Sequence, residues 1–83
     1  MKTFEDLKFE TNESGALEAT EYFDNGYGVS VLQDGASYHG HYLYNVAVLK
    51  DGLFCFDTPI TNLILVHQSI DQINDVMKRV QEL

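Results

Sequence analysis

Two glycines one residue apart, Gly26 and Gly28 in YFDNGYGVSV (residues 22–31), have a spacing that could do chemistry. A Gly-x-Gly that opens a helix cradles a phosphate, because bare backbone amides and the helix N-terminus meet the anion together. That fingerprint needs a third glycine at position 31, which is Val31. The residues that follow, Val29-Ser30-Val31-Leu32, have the composition of a strand rather than of a first helical turn. No Gly-Lys-Ser/Thr occurs, so a P-loop is absent too. A turn explains the stretch better. Asn25-Gly26 is a strong hairpin signal, because a type I′ turn needs φ > 0 at both central residues. A two-residue loop there pairs Asp24 with Tyr27, Phe23 with Gly28 and Tyr22 with Val29. Phe23 would then lie across the bare Gly28.

His39-x-His41 has the spacing of half a metal site, with His67, Cys55 or a carboxylate as a third ligand. Structural zinc sites of small domains offer four ligands in two close pairs, and no second pair follows here. Gly40 also marks a loop end, so exposed hairpin histidines and no metal are the expectation. Cys55 lies in the apolar run Leu53-Phe54-Cys55-Phe56, with no nearby cation in sequence to activate a thiolate, and reads as a small buried hydrophobe. Ser30 and Ser37 lack a nucleophile motif. Asp51, Asp57 and Glu21 have no spacing that separates them from a solvated acidic face. No catalytic residue, cofactor or metal ligand is expected.

The elements that must position these residues are legible in part. One helical turn starts from Thr3, with Phe4 and Leu7 on one side, and TNESG (11–15) reads as a loop. Residues 16–23 form a strand with Leu17, Ala19 and Phe23 on one face and Glu18, Thr20 and Tyr22 on the other. Residues 27–33 form a second strand, and DGASYHG (34–40) reads as a loop with turns at Asp34-Gly35 and Gly40. HYLYNVAVL (41–49) is a central strand, since both of its faces are fairly apolar. Asp51-Gly52 is a tight hairpin turn and residues 53–56 a fourth strand, which Pro59 ends. ITNLILVHQ is either a fifth strand or an irregular connection. From Ser69 the period changes. Ser69 and Gln72 fit a capping box, and Ile70, Ile73, Met77, Val80 and Leu83 recur at helical spacing over 70–82. The expected fold is α+β: one domain over residues 1–83, an antiparallel meander of about four strands with a C-terminal helix on one face.

The 83 residues carry thirteen acids and five bases, a net charge of −8. No Lys or Arg lies between Lys8 and Lys50, or between Lys50 and Lys78. Such a field repels nucleic-acid phosphates and anionic lipid heads, so direct binding to nucleic acid or membrane is disfavoured. A basic partner protein is favoured by the same field, although acidity also serves solubility alone. The single cysteine excludes an internal disulfide and suits a reducing compartment. No signal-peptide pattern is present, and the longest apolar run, Leu63 to Val66, is far too short to span a bilayer. All five tyrosines, Tyr22, Tyr27, Tyr38, Tyr42 and Tyr44, fall inside the interval without bases. Tyrosine is enriched at interfaces. The plainer reading makes Tyr42 and Tyr44 core, and Tyr22 and Tyr27 a cross-strand pair.

The pieces FDNGYGVSV, AVLKDG, DTPIT and MKRVQEL, in this order, resemble a family of small proteins of tailed bacteriophages and prophages. The resemblance covers most of the chain. It implies a bacterial host cytoplasm and an accessory role, and it supplies no catalytic residues. Many relatives have an acidic pair where this chain has Asn62-Leu63, and a polar or acidic residue in the region of HGHYLYN.

Three function classes follow. The first is a non-enzymatic phage accessory protein whose acidic, tyrosine-bearing surface binds a basic host or phage protein, a nucleic-acid-handling one in the version that imitates DNA charge. Its contact residues would be Glu18, Glu21, Tyr22, Asp24, Tyr27, Asp34 and Tyr38. The second is a self-associating structural or virion-related protein, dimeric through its apolar strands. An enzyme ranks last.

Overall fold

The computed structural model describes residues 1–60 and 64–83, with backbone alone at 34, 36 and 38. The described residues form six strands and one α-helix: β1 (Glu10–Thr11), β2 (Leu17–Tyr22), β3 (Tyr27–Tyr38), β4 (His41–Lys50), β5 (Leu53–Phe54), β6 (Leu65–Gln68) and α1 (Ile70–Gln81). A short 3-10 helix, Phe4–Asp6, precedes them. The class is the expected α+β, with a six-stranded antiparallel sheet in place of four strands. The order is β1-β2-β3-β4-β5, and β6 also pairs with β4. β4 is thus the central strand that its two apolar faces predict.

The α1 N-terminus forms as read from sequence. Ser69 Oγ accepts from the Gln72 amide at 3.2 Å, and the Ser69 amide donates to Gln72 Oε1 at 2.8 Å. The buried stripe is Ile73, Val76, Met77 and Val80, while Ile70 and Leu83 stay largely exposed at the helix ends. It packs on Val29, Val31, Val46, Val48 and Ala19 of the sheet. The N-terminal segment closes one side of this layer. The Phe4 amide donates to Asn74 Oδ1 at 2.8 Å, and the Phe4, Phe9 and Tyr44 rings lie within 5.3–5.7 Å of one another.

Four local expectations are corrected. The Asn25-Gly26 loop has three residues, Asp24 to Gly26, not two. The Phe23 amide donates to the Tyr27 carbonyl at 2.8 Å, and the Gly26 amide to the Phe23 carbonyl at 3.2 Å. Only Gly26 is left-handed (φ 86°), so this is not a type I′ turn but the next commonest hairpin loop. Asn25 stays out of that region because its side chain is engaged twice: Oδ1 accepts from the Tyr27 amide, and Nδ2 donates to the Val80 carbonyl. The register therefore slips by one, and Tyr22 rather than Phe23 lies opposite Gly28. Second, residues 34–38 are strand, not loop. β3 runs on through an irregularity between Gln33 and Ser37 that Gly35 (φ 84°) permits, and the turn falls at His39-Gly40, both left-handed. Third, Thr11 pairs in β1 instead of opening a loop. Fourth, β5 stops at Phe54 rather than at 56, and residues 58–60 form a bend. Asp51-Gly52 is the tight hairpin expected, with both residues at positive φ and Lys50 paired to Leu53.

The undecided stretch before the helix is part strand. β6 pairs Leu65 with Val46 and Gln68 with Tyr44 around a bulge at His67 (φ 54°), whose amide donates to Asn45 Oδ1. The Asn62-Leu63 departure lies outside the described residues.

Candidate interaction surface

Side chains alternate across a strand, and cross-strand partners share a face. The register therefore assigns each candidate residue to a side of the sheet. Val29, Val31, Val46 and Val48 face α1. The opposite face carries three rows: Glu18–Leu32–Asn45, Thr20–Ser30–Ala47 and Tyr22–Gly28–Leu49–Phe54. Among the described residues no helix or strand lies across this second face.

The seven expected contact residues do not form one surface. Glu18 and Tyr22 lie on the open face, where Tyr22 is 47% exposed. Glu21 lies on the α1 side, half-buried, and its carboxylate accepts from Lys2 Nζ in the one ion pair among the described residues. That hydrogen bond, with the charges of Glu21, Asp24 and Asp6, holds the Lys2 ammonium above its usual pKa. Asp24 sits exposed in the hairpin loop. Tyr27 turns to the α1 side, packs on the core and receives Lys50 Nζ 5.2 Å from its ring centroid. It is therefore no cross-strand partner of Tyr22. Asp34 and Tyr38 lie in β3, and their side chains lie outside the described residues. Of the other tyrosines, Tyr44 is core as expected, but Tyr42 is 58% exposed.

Glu10 joins the acidic set, because β1 sets it directly opposite Glu18. Like charges so placed repel. A cleft lined by Lys8, Glu10, Glu18, Thr20 and Glu21 runs along this edge. Sequence reading missed Glu10 because a two-residue strand has no alternation to detect.

The remaining chemistry is dispersed. His39 occupies a turn and His41 a strand start, so the two imidazoles do not share a strand face. No group of three or more His, Cys, Asp or Glu among the described residues is placed to hold a metal ion. Cys55 is partly buried against the core, close to the expected role. No described helix is long and apolar enough to cross a membrane.

The fold defines an α+β protein with a one-sided antiparallel sheet. Neither a protein-family model nor a curated protein nor a solved structure matches the chain.

Proposed function

We propose that this is a non-enzymatic acidic binding protein whose β1–β2 edge and hairpin engage a basic surface of another protein. One observation carries the reading. The interval without Lys or Arg, residues 9–49, folds into β1, β2, β3 and nearly all of β4, which are neighbours in space. A gap in the sequence thus becomes an edge with Glu10, Glu18 and Asp24 exposed and Tyr22 beside them. Fields of this kind steer a cationic partner and speed its encounter. Glu21 and Tyr27 play no direct part, since Lys2 and Lys50 already occupy them. The resemblance to tailed-phage proteins supports action in a bacterial host cytoplasm, on a host or phage protein. A protein that handles nucleic acid fits best, because its basic groove is built for a similar field.

The test is capture from a bacterial lysate, followed by kinetics with the purified partner. The association rate should fall as salt rises, since exposed charges are screened beyond a Debye length of about 8 Å at physiological ionic strength. Glu10→Lys, Glu18→Lys and Asp24→Lys together should slow association while the domain stays folded. Duplex DNA should compete if the partner binds DNA. A rate indifferent to salt and to charge reversal would refute the reading.

A further inference from the structure

The chain carries −8 charges, yet among the described residues the sheet face opposite α1 holds few of them. Of its three rows only the first carries carboxylates, Glu18 and, beyond it on β1, Glu10, both at one margin. The same face holds large exposed apolar groups. Phe54 is 59% exposed and stacks on Phe56, 48% exposed, with ring centroids 6.2 Å apart. Phe56 continues the row of Ala47, since the Cys55 amide between the two rings donates to the Val48 carbonyl. Val66, 56% exposed, follows Leu65, which packs on the α1 side, and so extends the row of Asn45. Ala47 and Leu49 are buried although they lie outside the core against α1.

We propose that this open face is the interface of a homodimer, two sheets packed face to face with the helices outside. Area and charge select the occupant. Four strands about 4.8 Å apart, each giving three residues about 6.8 Å apart, make a footprint of roughly 400 Å² before side-chain relief is counted. With the rings standing out from it, the face reaches the roughly 500 Å² per partner that a specific interface must clear. A basic partner finds no carboxylate at its centre. A second copy brings the same uncharged grid, and this is a face on which two strongly acidic chains can meet without repulsion. A two-fold axis along the strands, between β3 and β4, sets Tyr22 of one copy against Phe54 of its partner. It also holds the two Glu18 carboxylates at opposite margins. Glu18 and Glu10 stay at the margin and Asp24 in the hairpin loop, but Tyr22 is shared. The tests therefore separate the two proposals: salt-sensitive association for the binding reading, a salt-insensitive dimer for this one.

Sedimentation velocity on the full chain tests this. At about 100 μM, well above a micromolar Kd, the protein should sediment at twice the 9.4 kDa chain mass. Raising NaCl from about 0.1 to about 1 M, which shortens the Debye length from about 10 to about 3 Å, should leave the dimer intact. Phe54→Asp, and separately Thr20→Asp at an exposed position, should each raise the dimer Kd at least ~10-fold, with circular dichroism reporting the fold. If Phe54→Asp fails to fold, Thr20→Asp alone decides. A monomer at this concentration, a dimer that salt dissociates, or a dimer that folded variants leave unchanged would each overturn the proposal.

Discussion

The Asn25 side chain donates a 2.9 Å hydrogen bond to the Val80 carbonyl and so ties the β2–β3 hairpin loop to the last turn of α1, 55 residues away. The same Nδ2 lies 3.4 Å from the Leu83 carbonyl. Asn25, read from sequence only as a turn residue, is thus also a C-terminal clasp for the helix. Asn25→Asp removes the donor and sets a carboxylate against the negative end of the helix dipole. Stability at neutral pH should fall by about 1–2 kcal/mol, read from urea midpoints. An unchanged midpoint would mean that the clasp contributes nothing.

Gly28 has no room for a side chain. A Cβ built there stands 2.5 Å from the Glu21 carbonyl oxygen and 2.8 Å from Tyr22 Cδ1. The tyrosine ring can swing away, but the backbone oxygen cannot move without disturbing the β2–β3 ladder. Gly28→Ala should cost about 1–3 kcal/mol, the range of an overpacked site. Gly26→Ala meets open space but a left-handed backbone, and about 1–2 kcal/mol is expected from that alone. Denaturant titrations in which Gly28→Ala matches the wild type would contradict the register described here.

Ser69→Ala leaves the Gln72 amide without its side-chain acceptor. The expected loss is about 0.5–2 kcal/mol, as for other N-caps. Because Gln72 also caps Ser69 in return, Gln72→Ala should weaken the same helix end, and the double variant should lose less than the two single losses added. Strict additivity would show that the two halves of the box act separately.

Lys2 titrates above its ordinary value of 10.5, chiefly because Glu21 accepts its hydrogen bond. A raised folded-state pKa means that the pair's contribution is complete below 10.5 and is lost as pH climbs through the higher folded value. Glu21→Gln should therefore bring the Lys2 pKa down, measured by NMR of the side-chain Cε–H signals. The stability gap between wild type and variant should narrow as pH rises through that alkaline window. A Lys2 titration unmoved by the substitution would remove Glu21 as its partner.

Local signals were legible in the chain because they rest on few neighbours. The capping box of Ser69 and Gln72, the Asp51-Gly52 turn and the alternation of residues 41–49 each depend on residues within a few positions. All three stand in the structure. Where tertiary contacts compete, local reading fails by small amounts that matter. One extra loop residue at Asp24–Gly26, held by the reach of Asn25 to the helix, exchanges Phe23 for Tyr22 across from Gly28. Side chains alternate with period two, so that one-residue slip reassigns every residue of β2 relative to its partners on β3.

Composition alone determined that the protein is acidic and that its bases are confined to the two ends and Lys50. Only the tertiary structure decided which acids stand together. Glu10 meets Glu18 through a two-residue strand, and Glu21 is withdrawn to Lys2, because pairing across the sheet joins residues with no local signal for each other. The sparsely charged face was hidden for the same reason. Its rows take one residue each from β2, β3, β4 and the strands beyond, and they become a surface only when the register aligns them.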